Sequence, residues 1–200
     1  MIRIDSLRPC ENSHGIIGEK MKTAFIIHGA YGNSRENWFP WMKRELRKKG
    51  YEVIAPDFPT PENQTLENWM KIFGKYKGKI NEETIVIGHS VGVTFLLSVI
   101  EKLDLKISGA YFVAGFASQL GGKFDELNRT FVEKRFDWQK IRKNCGKFAI
   151  FASDDDPYVP MEKADELAGK LGAKVIAVKG AGHFNEKAGY TKFELLLEKI

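Results

Sequence analysis

Cysteines are scarce in this 200-residue chain, which limits both disulfide and metal chemistry. The two present, Cys10 and Cys145, are too few for a disulfide framework. Neither is flanked by the Cys and His spacing that is typical of a zinc site. We therefore expect a reducing compartment and no bound metal.

Long apolar runs are also lacking. The longest one, residues 95–100, falls far short of the roughly 20 residues that a membrane-spanning helix needs, so no membrane association is expected. Residues 1–20 have no apolar stretch between their charged residues, and they therefore lack the pattern of a secretory signal. These absences together predict a cytoplasmic protein.

A concentrated basic surface is missing as well. The formal net charge is +5, but the basic residues are scattered along the chain. The densest run, residues 43–49, falls on a predicted helix, and we interpret it as the solvated face of that helix rather than as an anion-binding patch. No nucleic-acid partner is therefore expected.

Apolar segments alternate regularly with amphipathic ones over most of the chain. The length suits one domain, which we assign to residues 21–200, preceded by an N-terminal extension at residues 1–20. The alternation predicts an α/β fold with three layers, in which a mostly parallel six-stranded sheet has helices on both faces. The predicted strands are residues 23–28, 51–55, 84–88, 107–114, 147–152 and 174–178, and the main predicted helices are residues 37–49, 65–77, 91–102, 161–171 and 190–199.

One segment, about residues 116–145, interrupts this alternation. Its apolar side chains recur at roughly helical intervals with little β-branched content, which predicts an inserted pair of helices. Two interpretations of the insertion stay open at this point. It either adds to the core or forms a lid over a pocket beside the sheet.

The turn after the third predicted strand has the sequence Gly88-His89-Ser90-Val91-Gly92. Gly-x-Ser-x-Gly between a strand and a helix is the pattern of a nucleophile elbow, in which a strained turn lifts the serine hydroxyl into a cleft. Side chains at positions 88 and 92 would collide with the neighbouring helix and strand. We therefore predict that Ser90 is a nucleophile and that His89, inside the turn, is structural.

A serine nucleophile needs a base to accept its proton and a carboxylate to orient that base. His183 follows a later strand between two glycines, so it is the candidate base. The acid comes from the run Asp154, Asp155 and Asp156, and this order of serine, acid and histidine is that of the α/β hydrolases. Adjacent carboxylates repel one another, so one of the three is expected to face the histidine and the other two to be solvated.

The remaining site residues are predicted from their places at the same edge of the sheet. Backbone N–H groups of Ala30, beside Gly29, and of Val91 are candidates for binding an oxyanion. The alternative for the Gly29 turn is simply a tight exit from the strand. Aromatic residues in nearby segments are the candidate substrate pocket: Tyr31, Phe116, Phe124 and Trp138.

Taken together, these residues resemble the small serine hydrolases related to retinoblastoma-binding protein 9, in the α/β-hydrolase superfamily. The resemblance covers about residues 22–198. It implies an α/β-hydrolase fold, hydrolysis of ester or amide bonds without metal or organic cofactors, and Asp156, directly before Pro157, as the acid. The segments that carry it are residues 25–29, 38–41, 85–92, 136–141, 155–160 and 182–184.

The resemblance does not extend to a retinoblastoma-type partner. Both cysteines lack the flanking residues of a Leu-x-Cys-x-Glu motif, since Arg8 and Asn12 surround Cys10, and two lysines surround Cys145. No such partner is therefore expected.

The function expected from the sequence is cleavage of a small ester substrate by a carboxylesterase-like serine hydrolase. An aminopeptidase or amidase is the first alternative, and it would need a carboxylate for the substrate amine, for which Glu36, Asp154 and Asp155 are candidates. A second alternative is a non-catalytic interaction protein on a hydrolase scaffold. A phosphate-binding turn at residues 88–92 is a weaker hypothesis, because the usual nucleotide-binding motifs are missing.

Overall fold

The computed structural model describes residues 21–200, so the predicted N-terminal extension lies outside the described residues. Six strands form one sheet in the order β2-β1-β3-β4-β5-β6, and every neighbouring pair is parallel. The predicted six-stranded sheet is therefore confirmed, and it is parallel throughout. The strands are β1 (Thr23–Ile27), β2 (Glu52–Ile54), β3 (Ile85–His89), β4 (Gly109–Val113), β5 (Phe148–Ser153) and β6 (Val175–Val178).

Helices follow the strands in the expected places, with some differences in length. The second predicted helix ends at Phe73 and continues as a 3-10 helix over Gly74–Lys79, because glycines at 74 and 78 weaken the α-helix. The last predicted helix, residues 190–199, is shorter in the structure and covers Glu194–Glu198. The α-helices are α1 (Phe39–Lys48), α2 (Leu66–Phe73), α3 (Val91–Glu101), α4 (Asp125–Val132), α5 (Trp138–Lys143), α6 (Met161–Leu171) and α7 (Glu194–Glu198).

The two faces of the sheet are buried in separate apolar clusters. Successive side chains of a strand point to opposite faces, so β1 contributes Phe25 to one cluster and Ile26 to the other. Helices α1 and α7 cover the face that contains Ile26, whereas α2, α3, α5 and α6 contribute to the cluster on the opposite face. The helices on both faces explain why the strands read as nearly continuous apolar runs.

Helix α3 is apolar on all sides because it is buried on all sides. Every residue of α3 from Val91 to Ile100 is buried, and the helix packs between the sheet and helices α4 and α5. It is far too short to cross a bilayer. Within residues 21–200, no helix is both long and apolar enough to span a membrane.

The inserted segment forms the predicted helical pair, and its two helices have different surroundings. Helix α5 contacts α3 and α6, with Ile141 fully buried in the core. The turn before α4 is fixed by Asp125, whose carboxylate accepts hydrogen bonds from the N–H groups of Leu120, Gly121 and Gly122. The part of the insertion that contains α4 reaches a cavity at the carboxyl edge of the sheet, and the part that contains α5 belongs to the core.

The order of the strands determines where a site can form. The chain passes from β1 outward to β2 and then returns to β3 on the other side of β1. In open parallel sheets, ligands bind at such a switch point, beyond the carboxyl ends of the strands. The loops that follow β1 and β3 meet there.

Candidate active site

Ser90 lies in a strained turn between β3 and α3. Its backbone has φ 56° and ψ −128°, a conformation that L-residues rarely adopt. The turn is fixed by a 2.9 Å hydrogen bond from the Ser90 N–H to the Val113 carbonyl of β4. A Cβ at Gly92 would lie 2.5 Å from the His28 carbonyl oxygen, and one at Gly88 would lie 2.9 Å from the Val93 nitrogen. The predicted steric need for both glycines is therefore confirmed.

A cavity of about 710 Å³ opens at the carboxyl edge of the sheet. It brings together Ser90 and His183, which are far apart in the sequence. Loops after β1, β3, β4, β5 and β6 all contribute to its wall. Its lining includes Gly29, Ala30, Tyr31, Glu36, His89, Leu120, Lys123, Phe124, Asn128, Tyr158, Val159, Asn185, Glu186 and Lys187.

The His183 ring is bound to Asp156. Its Nδ1 atom lies 2.8 Å from Oδ2 and 3.0 Å from Oδ1 of the carboxylate, whose side chain is only 1% exposed. The same Oδ1 also accepts the N–H groups of Tyr158 and Val159, which fixes the carboxylate from its own loop. Because a carboxylate oxygen accepts from a ring N–H, Asp156 favours the tautomer of His183 with the proton on Nδ1 and leaves Nε2 as an acceptor.

The other two acids also bind the histidine loop, which we define as residues 180–184. Asp154 accepts the Gly180 N–H at 2.8 Å, and Asp155 accepts the Gly182 N–H at 2.7 Å. Ser153 adds a third bond, since its Oγ accepts the Ala181 N–H at 2.9 Å. Asp154 and Asp155 are exposed, as expected, but each also accepts a backbone N–H of the histidine loop. The acid loop, residues 153–156, pairs residue by residue with the loop that carries His183.

Hydrogen bonding also explains the ionisation of Asp155. Its Oδ1 accepts a hydrogen bond from the Ser153 hydroxyl at 2.6 Å in addition to the one from Gly182. These two donors stabilise the carboxylate and lower the pKa of Asp155. The carboxylate stays charged at neutral pH and keeps its role as an acceptor.

The opposite side of the histidine loop is held by the loop after β1. The Trp38 indole N–H donates to the Phe184 carbonyl at 3.0 Å. Asn37 and Glu186 exchange two bonds, because each backbone N–H donates to the side-chain oxygen of the other residue. The histidine loop is thus fixed between the acid loop and the residues that precede α1.

His89, beside Ser90 in the elbow, also holds the histidine loop. Its Nε2 lies 2.8 Å from the His183 carbonyl oxygen, and the two rings are 4.7 Å apart. Since a carbonyl can only accept, Nε2 of His89 carries the proton and donates. Burial, followed by the repulsion of His183, lowers the pKa of His89 to about 3, so the ring is neutral at ordinary pH. His89 therefore has the structural role predicted from its place in the elbow.

His28 is a second buried histidine near the cavity. The Phe58 N–H donates to its Nε2 at 2.9 Å, so Nδ1 carries the proton and donates to the Gly29 carbonyl at 2.7 Å. Burial lowers the pKa of His28. Both ring nitrogens are occupied by backbone groups. Among the histidines within residues 21–200, this leaves His183 available for proton transfer.

The two predicted oxyanion donors flank Ser90. A Cβ at Gly29 would lie 2.9 Å from the Ser90 Cβ, so the chain entering Ala30 passes directly beside the serine. Val91 is the first residue of α3, and its backbone N–H has no acceptor within the helix. Val91 is fully buried, so the N–H of its backbone is the one group through which it could contribute to the predicted oxyanion site.

Two of the four aromatic residues predicted for the substrate pocket line the cavity. Tyr31 and Phe124 line the cavity, with their ring centroids 6.4 Å apart. Phe116 is 1% exposed and packs in the core, because the chain turns inward directly after β4. Trp138 begins α5, where it packs against Phe136 at 5.2 Å and against the same core cluster. Phe116 is therefore corrected to a core residue, and Trp138 to a partly buried residue that packs against the core.

Tyr158 is an aromatic residue of the cavity that the sequence analysis missed. Its ring meets His183 edge-on at 5.0 Å and Phe124 at 5.7 Å. The signal was available, since Tyr158 follows the acid loop by two residues. Asn128 of α4 was missed for a different reason, because nothing in the sequence indicates which face of that helix meets the cavity.

The described residues offer no site for a metal. Within residues 21–200, no three His, Cys, Asp or Glu side chains are grouped so that they could hold an ion. Cys145 is a buried free thiol, and burial raises its pKa to about 12. Cys145 does not line the cavity.

A parallel sheet of this order, with a strained serine turn at the switch point, defines an α/β hydrolase. Comparison with known proteins places the chain more narrowly: it belongs to the serine hydrolase family, whose model matches residues 24–200. The protein is therefore an enzyme of the serine hydrolase class.

Two relatives match over most of their length. The Bacillus subtilis protein YdeN, whose name describes it as a hydrolase, is 32% identical over 181 residues, which is 90% of this chain and 94% of YdeN. The serine hydrolase RBBP9 of Rattus norvegicus is 27% identical over 180 residues, covering 88% of this chain and 92% of RBBP9. The predicted kinship with the RBBP9 group is confirmed.

Solved structures agree with this assignment. The crystal structure of the Bacillus subtilis ydeN product matches with a TM-score of 0.84 and 31% identity, covering 89% of this chain and 96% of that one. Est1E from Butyrivibrio proteoclasticus, solved with ferulic acid bound, matches with a TM-score of 0.65 and 18% identity, covering 90% and 89%. At that identity the second likeness concerns the fold alone.

Proposed function

We propose that this serine hydrolase is a cofactor-independent carboxylesterase that cleaves small esters through an acyl-enzyme on Ser90, with His183 as base and Asp156 as its orienting acid. The observation that carries the proposal is the pairing of His183 Nδ1 with Asp156 at 2.8 Å while the ring lines the same cavity as Ser90. This leaves Nε2 of His183 as the acceptor for the serine proton.

The reaction follows from these positions. Ser90 Oγ attacks the ester carbonyl carbon while its proton passes to His183 Nε2, and the Asp156 carboxylate stabilises the imidazolium that forms. The carbonyl oxygen becomes an oxyanion, which the N–H groups of Ala30 and Val91 bind. Collapse of the intermediate expels the alcohol, which takes the proton from His183.

Water completes the cycle. His183 removes a proton from the water as it attacks the acyl carbon, and a second oxyanion forms at the same two N–H groups. The proton then returns to Ser90 as the carboxylic acid leaves. Each step moves protons only between Ser90, His183, water and the substrate, so no metal or organic cofactor is required.

The wall of the cavity favours a small substrate with an apolar group. Tyr31, Phe124 and Tyr158 form a chain of edge-to-face contacts along it. Aromatic surfaces of this kind bind apolar groups by excluding water. We therefore propose short acyl or aromatic esters as the first substrates to test.

One observation supports an amidase or aminopeptidase as a second candidate. Glu36 lines the cavity and is a carboxylate that could bind a substrate amine. The other two residues considered for this role, Asp154 and Asp155, already accept backbone N–H groups from the histidine loop. An aminoacyl p-nitroanilide and a Glu36→Gln variant test this candidate, which requires that the wild type cleave the anilide and that the variant lose this activity.

The decisive experiment is covalent labelling with a fluorophosphonate. Wild-type protein should be modified at Ser90 and should hydrolyse p-nitrophenyl butyrate, and Ser90→Ala should lose both properties. Ser118→Ala is the matched control, because Ser118 is bound to Glu166 and Lys163 at the surface of α6. Labelling that persists in Ser90→Ala would overturn the proposal.

A further inference from the structure

A chain of hydrogen bonds runs from the loop after β1 to the inserted helix α4. The Tyr31 N–H donates to Thr60 Oγ1 at 2.7 Å, and the Thr60 hydroxyl donates to Gln64 Oε1 at 2.5 Å. Gln64 Nε2 then donates to Asn128 Oδ1 at 3.0 Å. The chain ends at Asn128, which lines the cavity.

Two backbone groups determine the direction of this chain. The Tyr31 N–H can only donate, so the Thr60 hydroxyl accepts from it and points its own proton at Gln64. The Leu127 carbonyl can only accept, and it takes a 3.3 Å bond from Gln64 Nε2. The amide of Gln64 is therefore oriented from both ends, with its oxygen toward Thr60 and its nitrogen toward Asn128.

This orientation fixes the Asn128 amide in turn. Its Oδ1 faces the Gln64 nitrogen, so its Nδ2 donor group is directed elsewhere. Within residues 21–200, Nδ2 makes no hydrogen bond, although Asn128 is only 4% exposed. In this part of the chain, Ser98 Oγ is the one side-chain polar atom that is both fully buried and without a partner. Asn128 Nδ2 also has no partner, so it is not fully buried, and we infer that it is open to the cavity that Asn128 lines.

A donor that is open to a cavity and has no protein partner can bind a ligand acceptor, and a bound ligand that covers it without supplying an acceptor would leave it unpaired. We propose that Asn128 Nδ2 is a specificity-determining donor that binds a second oxygen acceptor of the substrate, a ketone, ether or amide oxygen in addition to the scissile ester. This inference rests on the proposed function, because it names the substrate class of the same cavity. It assigns the inserted segment a role in recognition.

The arrangement also explains why the donor is held so firmly. The chain begins at Tyr31, next to the candidate oxyanion residue Ala30, and it crosses from there to α4. Gln64 is 5% exposed, so the middle of the chain is shielded from water. A preorganised donor costs little to order when the substrate binds, and it rejects analogues that lack the acceptor.

Matched ester pairs test the proposal. The acyl pair is p-nitrophenyl levulinate and p-nitrophenyl valerate, which have equal chain lengths but differ by one ketone oxygen. The alcohol pair is methoxyethyl butyrate and butyl butyrate, which differ by one ether oxygen. Wild-type protein should prefer the acceptor-bearing member of one pair by about three- to tenfold in kcat/KM, the value of one neutral hydrogen bond.

The variants separate recognition from folding. Asn128→Leu keeps the number and branching of the side-chain heavy atoms and leaves Gln64 bonded to Leu127. It should abolish the preference by lowering kcat/KM for the ester that carries the acceptor. Asn68→Leu on α2 is the same substitution outside the cavity, and it should keep the preference. If Asn128→Leu does not fold, Asn128→Ala takes its place, and the wild-type preference is measured independently of either variant.

The outcomes distinguish this inference from the proposed function. Hydrolysis of all four esters without preference in either pair, or a preference that survives in Asn128→Leu, would overturn the role of Asn128 and leave the esterase proposal standing. Failure of wild-type protein to hydrolyse any of them or to be labelled would overturn both proposals.

Discussion

The histidine loop and the aromatic wall of the cavity are held in opposite ways. The histidine loop is held by directional hydrogen bonds. Its N–H groups donate to the acid loop, and its carbonyl groups accept from Trp38 and His89. The rings of the aromatic wall, formed by Tyr31, Phe124 and Tyr158, contact one another edge to face rather than through directional hydrogen bonds. Tyr31 is 61% exposed and Tyr158 is 38% exposed.

The difference reflects what each region has to do. Proton transfer requires reacting atoms at hydrogen-bond distance, and directional bonds are what fix such distances. Binding an apolar group requires open apolar surface, and ring contacts leave the outer faces free. Asn128 combines features of both regions, because it lines the cavity but is oriented by a chain of directional bonds.

Asp156→Asn should have the largest effect. Asn can keep an oxygen toward Tyr158 and Val159, which puts its NH₂ group against Nδ1 of His183. That ring would then carry its proton on Nε2, the wrong tautomer for a base, and the same change in serine proteases lowers kcat about 10⁴-fold. Steady-state kinetics on p-nitrophenyl butyrate measures this.

Asp165→Asn, on the exposed side of α6, is the control for that substitution. It should leave kcat unchanged. A mild loss of kcat in Asp156→Asn, combined with a severe loss in Asp154→Asn or Asp155→Asn, would mean that Asp156 is not the acid of the triad.

Phe116→Ala and Phe124→Ala should separate core from cavity. Phe116 is fully buried, so its truncation should lower the free energy of unfolding by about 3–5 kcal/mol. Phe124 lines the cavity, so Phe124→Ala should raise KM for an aromatic ester while the unfolding free energy changes by less than about 1 kcal/mol. Denaturant titration and steady-state kinetics test both statements, and equal losses of stability would contradict them.

Asp155→Ala should weaken catalysis, although we expect no contact between Asp155 and the substrate. It removes the acceptor of the Gly182 N–H and of the Ser153 hydroxyl, which loosens the loop next to His183. We expect kcat to fall by about ten- to thirtyfold with little change in KM, since small displacements of a catalytic group are costly. Asp155→Asn keeps an oxygen acceptor and should recover most of the activity. A change confined to KM would argue for contact with the substrate instead.

The buried His89 should make stability depend on pH in a defined direction. Its pKa is about 3 in the folded protein and about 6.5 when unfolded. Between these values the unfolded chain binds a proton that the folded protein does not, so the free energy of unfolding falls as the pH drops below about 6.5. The contribution of His89 reaches at most about 1.4 kcal/mol per pH unit.

The test of this contribution compares two pH profiles of stability. His89→Gln removes the titration and can still donate to the His183 carbonyl, so its profile should be shallower than that of the wild type between pH 6.5 and pH 4. Buried His28 contributes to both profiles equally. Identical slopes would mean that His89 is protonated in the folded protein.

Local patterns made much of the fold predictable. The strand bounds follow continuous apolar runs, and each run ends at a glycine or polar turn where the sheet ends. The elbow is equally local, because its requirements concern Ser90, two glycines and the strand and helix on either side. The bounds of the last helix were less predictable, since α7 covers Glu194–Glu198 and residues 190–193 are not helical.

The pocket could not be predicted to the same extent. Phe116 and Phe124 are both aromatic residues of one inserted segment, and nothing local distinguishes them. The turn after β4 buries Phe116, whereas Asp125 fixes the turn that leaves Phe124 at the cavity. Their different surroundings come from neighbours that are distant in the sequence.

The sequence by itself determined the parallel sheet, the elbow at Ser90 and the order of serine, acid and histidine, because periodicity, steric demands of glycine and chain order are properties of short segments. Only the tertiary structure decided what Asp154 and Asp155 bind, which aromatic residues reach the cavity, and where Asn128 directs its amide. Each of these depends on contacts between segments that are far apart along the chain, and such contacts exist only once the sheet has brought the loops together.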